Sequence, residues 1–361
     1  MLKKIIKIVL FVLAILVLTL GGFLIYSGIT TLHVDDVEKL KVDGKSSKVI
    51  NKGDNVKLMT WNVGYCALGD NESFFMDGGD GVVAKDKKRV ESNLSNIIEK
   101  ININNPDVIF LQEVDIKCKR SCKIDEKEEF EEALDLNKYN TTFAYNYKAG
   151  YIPYPFPTAL GHVEAGIQTF SKYEIKSSDR IKLYNPFNWP ISMFNLKRCL
   201  AVNRIAVGDK ELVIVNQHLE AYDDGDGKEE QTKELKSLID KEYELGNYVI
   251  VGGDFNQSFT NIDTSMYPFV EGNWKPGVID SNKFENFNLL MDNSYPTCRS
   301  LSTPYVDKDK KTFPYYMIDG FMVSKNITVE SINTLNYGFE NSDHNPVLLN
   351  IVINWWWCYV W

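Results

Sequence analysis

Six apolar, strand-like runs in this chain are each bounded by a short polar cluster. The clusters are Thr60-Trp61-Asn62, Leu111-Gln112-Glu113, Asn216-Gln217-His218-Leu219, Gly253-Asp254-Phe255-Asn256, Met317-Ile318-Asp319-Gly320 and Ser342-Asp343-His344-Asn345-Pro346. A folding core has no use for carboxylates and imidazoles at the ends of buried strands unless they are paired or hold a metal, because a lone charge there is costly. Six such ends point to one active site.

The chain of 361 residues is long enough for one large domain plus an attachment. Met1 to Lys7 carries Lys3, Lys4 and Lys7, and Ile8 to Tyr26 is uncharged and almost wholly apolar, the length that crosses a bilayer core. A single-pass anchor is expected over residues 1–28, its basic flank cytoplasmic and the remainder exported, which places the protein at the cell membrane. A cleaved signal peptide is the competing reading, but no Ala-x-Ala-like site follows the run. Residues 29–55, rich in Lys, Asp and Ser, read as a polar stalk, 56–353 as the catalytic domain and 354–361 as an aromatic tail.

The formal charge is −9, and the basic residues before Asp35 all flank the anchor, so the exported part is more acidic still. No basic footprint of the kind that drives non-specific nucleic-acid binding is visible. Of six cysteines, Cys118 and Cys122 are close enough in sequence for a local disulfide in an exported domain, and no spacing resembles a zinc knuckle.

From Val56 the pattern alternates strand, loop and helix. Lys87 to Ile103 places Val90, Leu94, Ile97, Ile98 and Ile101 at helical spacing, between strands at Val56 to Asn62 and Asp107 to Gln112. That arrangement brings Asn62 and Glu113 to the same ends of neighbouring strands. Glu211 to Leu219 and Tyr248 to Gly253 are continuous apolar runs separated by a helical segment, Lys228 to Tyr243. Two loops, Tyr145 to Pro157 and Tyr184 to Phe194, are crowded with aromatic residues and proline. They either pack over the sheets or form a greasy rim for a lipid or glycolipid substrate.

The order Asn62, Glu113, His218, Gly-Asp254-Phe-Asn256, Asp319 and Ser-Asp343-His344 resembles the endonuclease/exonuclease/phosphatase superfamily. That superfamily includes pancreatic-type deoxyribonucleases, abasic-site endonucleases, inositol polyphosphate phosphatases and sphingomyelinases. The resemblance covers about Val56 to Ile353 and implies an α/β fold, a four-layer α-β-β-α sandwich with two packed mixed sheets. It also implies phosphoester hydrolysis with a divalent cation, Mg2+ as a rule and Mn2+ as a substitute. Independently, the carboxylates and amide offer hard oxygen ligands suited to magnesium.

By this resemblance Glu113 is the principal metal carboxylate, with Asn62 and Asp343 nearby. Asp254 orients or deprotonates the attacking water, and Asn256 donates to the phosphate. His344, held by Asp319, and His218 flank the phosphate as base, acid or electrostatic clamp. Glu164, Arg299 and Trp189 are further candidates for substrate contact, and Lys197 and Arg198 are similar cases. Taken alone, each of these residues also reads as a turn, cap or surface group.

The anchor, the acidic balance and the aromatic loops favour a monomeric membrane-anchored phosphodiesterase with phospholipid or sphingomyelin-like substrates. A surface nuclease acting on DNA or RNA is the alternative, and a catalytically inactive binding module is the third reading. A basic groove leading to Glu113 would favour nucleic acid, and an acidic rim with exposed Trp189 or Phe194 would favour lipid.

Overall fold

In the computed structural model the described residues are 1–354 apart from 224, 307, 308, 310 and 311, so most of the expected aromatic tail lies outside them. The central strands are apolar on both faces, which only a layered fold can bury. In Asn55–Asn62, Val56 and Leu58 face one core while Met59 and Trp61 face another. The same alternation divides Leu212 and Ile214 from Val213 and Val215 in Lys210–His218.

Two seven-stranded sheets result. In spatial order, one contains Val37–Lys39, Ile175–Lys182, Cys199–Val207, Lys210–His218, Tyr248–Asp254, Asp319–Ser324 and Phe287–Leu290. The other contains Ile327–Thr334, Val347–Ile353, Asn55–Asn62, Val108–Asp115, Gly161–Ser171, Asn140–Ile152 and Asp43–Gly44. Leu58, Phe110, Ile214, Ile250, Phe321 and Leu349 fill the space between the sheets. At about 1.5–3 kcal/mol for each large apolar side chain buried, this shared layer is the main cohesive contribution.

Helices cover the two outer faces. Lys87–Asn104 lays Val90, Leu94, Ile97 and Ile101 on Met59, Trp61, Ile109 and Leu111. It begins where Asp86 accepts a hydrogen bond from the Lys88 amide, and ends at Asn105, whose left-handed φ of 48° precedes Pro106. Asp226–Glu244 buries Leu235 and Ile239 against Val213, Val215, Val249 and Val251. The expected four-layer sandwich is therefore the observed one.

Each of these helices joins a parallel strand pair, Asn55–Asn62 with Val108–Asp115 and Lys210–His218 with Tyr248–Asp254. Both pairs send their carboxyl ends to one edge of the sandwich. Asp319–Ser324 runs antiparallel to Tyr248–Asp254, so its first residue arrives at that same edge.

The segment before the domain is more structured than a free stalk. Val37–Lys39 pairs with Ile175–Lys182 and Asp43–Gly44 with Asn140–Ile152, so it contributes one edge strand to each sheet. Alternation is too short there to signal a strand, and neighbouring edges supply the pairing. The first helix, Leu2–Thr30, is long and apolar enough to cross a membrane.

Candidate active site

The sheet register places His218, Asp254 and Asp319 side by side, since Asp254 is the pairing partner of both His218 and Asp319. On the facing sheet Asn62 pairs with Gln112, and Glu113 follows. Asn62 joins the two sheets: its Nδ2 donates to Asp254 Oδ2 (3.1 Å), while its Oδ1 accepts from the Gly64 amide (3.0 Å). The turn before the last strand completes the cluster. Ser342 Oγ donates to the Asn62 carbonyl (2.8 Å) and accepts from the His344 amide (3.1 Å), and Trp61 Nε1 donates to the His344 carbonyl (3.0 Å).

Asp254 is fixed in turn. Its Oδ1 accepts from the Asn256 amide (2.9 Å), and Asn256 Nδ2 donates to the Leu219 carbonyl (2.9 Å). Gly253 has φ 148°, and a Cβ there would collide with the Gln217 carbonyl, so the tight approach of neighbouring strands requires glycine. Glu113 and Asn256 both hold left-handed φ values, 59° and 50°. Strain of this kind persists where the surrounding structure over-determines a site.

The two imidazoles are tuned in opposite directions. Burial pushes His218 well below the ordinary histidine range, and the cations Arg198 and His344 push the same way. Burial also works against a charged His344, but Asp319 and Asp343 outweigh it and hold that imidazole well above the ordinary range. His344 Nδ1 donates to Asp319 Oδ2 at 2.8 Å. His218 Nε2 lies 3.4 Å from Asp254 Oδ2 and 3.9 Å from Glu113 Oε1. One neutral and one charged imidazole flanking the same carboxylate is an acid/base arrangement.

The donor set fits a hard divalent cation. Burial, then the facing Asp343, raises Glu113 to about 8, and burial, then Asp319, raises Asp254 to about 7. Burial raises Asp343 as well. Carboxylates crowded in this way with one charged imidazole leave negative charge that a bound cation would offset. Asp319 Oδ1 and His218 Nδ1 are buried without a partner. Asp254, Asp319 and His344 each offer an atom within 4.8 Å of the others, as do Cys298, Asp343 and His344. Burial raises the Cys298 thiol to about 12, so the oxygens are the competent ligands at neutral pH.

Above the cluster lies a cavity of about 330 Å³ whose wall includes Tyr65, Tyr147, Tyr222, Trp274 and Tyr316. Of the expected substrate contacts, Arg299 borders this cavity, but its guanidinium donates to the carbonyls of Leu68 (3.3 Å), Gly69 (2.8 Å), Glu72 (3.2 Å) and Ser300 (2.9 Å). Glu164 pairs with Lys148 (3.0 Å) outside it, and Trp189 is 69% exposed, also outside it.

Two further residues stand in the wall: Arg198, a substrate-contact candidate from the sequence, and Asp77, which sequence reasoning did not single out. Arg198 is buried, with Nε and Nη1 reaching no hydrogen-bond acceptor and Glu220 Oε2 3.7 Å from Nε. Asp77 accepts from the Tyr222 hydroxyl (3.1 and 3.2 Å), and burial, then Asp343, raises it to about 7. Arg198 directly precedes the strand that pairs with the His218 strand, and Asp77 lies in a Gly/Asp-rich loop. Neither context carries a periodic signal.

Cys118 and Cys122 are both free thiols, so the expected local disulfide is absent. Their sulfurs engage different partners: Cys118 Sγ accepts from the Glu164 amide (3.0 Å), and Cys122 Sγ donates to the Ala84 carbonyl (3.5 Å).

A cluster of buried carboxylates and two oppositely tuned imidazoles, at the sheet edge beneath a cavity, defines a metal-dependent hydrolase acting on phosphate ester bonds. The sequence profile of the Endonuclease/Exonuclease/phosphatase family matches residues 59–344, and the chain belongs to that family. No curated protein matches it significantly. Among solved structures it is similar to an endonuclease/exonuclease/phosphatase from Beutenbergia cavernae, with 17% identity, TM-score 0.56, and coverage of 83% of this chain and 72% of that one. The human Nocturnin catalytic domain with a bound sulfate anion gives 16% identity and TM-score 0.52, covering 87% and 98%. A Bacteroides vulgatus family member gives 16% and 0.51, covering 83% and 100%. At these identities the likeness is one of fold.

Proposed function

We propose that the protein is a monomeric, membrane-anchored phosphodiesterase whose catalytic domain, residues 56–353, faces the extracytoplasmic side of the cell membrane and acts on phospholipid or sphingomyelin-like substrates. The observation that carries the chemistry is the row of His218, Asp254 and Asp319 across one sheet, faced by His344 and Asp343. Glu113, Asp343 and Asn62 would hold magnesium or manganese, which when bound polarises a phosphoryl oxygen and offsets developing negative charge.

The chain's own groups divide the proton transfers. Asp254, raised to about 7, is poised to accept a proton from water as its oxygen attacks phosphorus. As the bond from phosphorus to the leaving oxygen breaks, the charged His344 supplies that oxygen with a proton, and Asp319 keeps the imidazole oriented. Neutral His218 stays beside Asp254, its Nε2 3.4 Å from Oδ2, and carries no charge into the transfer. The unpartnered N–H groups of Arg198 are suited to a non-bridging phosphate oxygen.

The lipid preference rests on the aromatic wall of the cavity and on the apolar side chains exposed beside its mouth. The test is magnesium-dependent hydrolysis by the purified full chain of sphingomyelin, phosphatidylcholine, plasmid DNA, RNA and a chromogenic diester, with Asp254→Ala and His344→Ala as controls. Lipid turnover abolished in both variants is expected. Turnover of DNA or RNA alone would instead establish the nuclease, and silence on every substrate together with no magnesium binding would leave the binding module.

A further inference from the structure

The most exposed aromatic and aliphatic side chains of the catalytic domain include a group in two loops on one side of the cavity. Phe156 is 90% exposed, Trp189 69%, Tyr154 63% and Ile191 60%. Isolated exposed apolar residues need no explanation, but four bulky ones in two adjoining loops form an exposed apolar surface, in which Tyr154 also packs edge-on against Phe75 with ring centroids 5.7 Å apart. Tyr154 also lines the cavity, as do Phe187 and Phe194 from the second loop, so this surface borders the cavity mouth.

The first helix docks at the base of the same two loops. Phe23 stacks on Phe194 with ring centroids 5.9 Å apart and planes 8° from parallel. Thr31 Oγ1 donates to the Met193 carbonyl (3.0 Å), the Gly150 amide to Thr30 Oγ1 (3.2 Å), and the Leu32 amide to the Lys148 carbonyl (3.0 Å). These contacts fix the depth of the loops relative to the helix. Tyr26 ends the apolar run, and Phe23 lies one helical turn, about 5 Å, inside it. Phe194 is thus level with the last turn of the apolar segment, at the depth where aromatic side chains favour the boundary between headgroups and acyl chains.

We infer that the loops around 151–156 and 184–191 form a bilayer-docking face, with Phe156, Trp189, Tyr154 and Ile191 seated in the outer leaflet beside the helix. The inference rests on the reading of residues 8–26 as a membrane span and goes beyond tethering. A tethered domain is free to swing away from the lipid, whereas this face holds the cavity mouth against the leaflet. Continuity with the docked helix selects a bilayer as the occupant over a second protein. Trp189 then serves the membrane and not the reacting phosphate.

The test uses the full chain in phosphatidylcholine vesicles containing doxyl-labelled lipid. An environment-sensitive fluorophore is attached at Phe156→Cys, Trp189→Cys, Leu13→Cys or Ile103→Cys, with the unsubstituted chain as labelling blank. Ile103 is an equally apolar exposed residue, at the end of the domain remote from Glu113. Quenching several-fold stronger at 156 and 189 than at 103 is expected, alongside strong quenching at 13. Quenching at 13 with none above the 103 level at 156 and 189 overturns the docking face and leaves the anchor intact. No quenching at 13 overturns both. A Cβ on Gly150 would lie 2.5 Å from Tyr26 Oη and 2.6 Å from Thr30 Oγ1, so Gly150→Leu should release the helix end. Loss of quenching at 156 and 189, with 13 unchanged, is expected from it.

Discussion

Replacing Asp319 by Asn changes one charge and almost no volume, which makes it the sharpest probe of how His344 works. In the folded protein His344 Nδ1 donates to Asp319 Oδ2 at 2.8 Å, both side chains being buried. Burial alone would discharge the imidazole, and Asp319 is the first of the groups that reverse this. Asparagine can also turn its NH2 towards Nδ1, which disfavours the tautomer that the present contact selects. Breaking a buried charged pair costs about 3–5 kcal/mol, and at about 1.4 kcal/mol per tenfold this is a loss of roughly 10²–10⁴ in rate if it falls on the transition state. The assay is the initial rate of magnesium-dependent chromogenic diester hydrolysis across pH, with circular dichroism to confirm folding. A raised His344 supplies its proton until pH climbs through its folded-state value, so Asp319→Asn should bring the alkaline fall of rate to lower pH. The pair's stabilisation is fully present below the unfolded histidine value of about 6.5 and lost as pH rises through the folded one, so the melting deficit should be larger in acid than in alkali. A rate of the same order as the parent, with an unmoved alkaline limb, would refute the assignment of His344 as acid.

With a chelator present, stability should fall as pH rises. Glu113 at about 8 and Asp254 at about 7 keep protons in the folded state that the unfolded carboxylates release. Added magnesium should flatten that slope in urea titrations, and a slope insensitive to magnesium would count against the metal site. Arg198→Gln is expected to lower kcat/KM about 10–100-fold, the worth of one hydrogen bond to a charged oxygen, and steady-state kinetics on the diester would show it. Gly253→Ala places a methyl against the Gln217 carbonyl at φ 148° and should cost about 3 kcal/mol or more in chemical denaturation.

The layers and the row of His218, Asp254 and Asp319 were legible because they are carried by period and position. Val213 and Val215 alternate with Leu212 and Ile214, and His218 and Asp254 close their strands. Asp77 was not legible in that way, and residue type alone made Arg198 a candidate. Each becomes informative only when the fold brings it to the cavity, Arg198 through pairing of Cys199–Val207 with Lys210–His218, and Asp77 through a loop folded towards Asp343 and Tyr222. Arg299 shows the converse. Its residue type suggests a phosphate clamp, yet four carbonyls already engage Nη1 and Nη2 and leave only the buried Nε without a partner, which no local spacing reveals.

Glu113 shows why the strand pattern alone would have misplaced the site. In a regular strand it would share a face with Ile109 and Leu111, which pack under the helix Lys87–Asn104. Instead the register against Gly161–Ser171 shifts between Leu111 and Val114, and Glu113 takes φ 59°, which turns the carboxylate from the helix layer to the cavity. The left-handed conformation costs a residue with a Cβ about 1–2 kcal/mol, and the partly buried, mutually repelling carboxylate adds to it. Glycine at this position would remove both costs against about 0.5–1 kcal/mol of added chain entropy. Glu113→Gly should therefore be more stable than the parent in chelator while losing magnesium-dependent hydrolysis, measured by urea titration beside the diester assay. A variant that unfolds more easily in chelator would mean that Glu113 holds the bulge together, and that its strain does not exist for the sake of the metal.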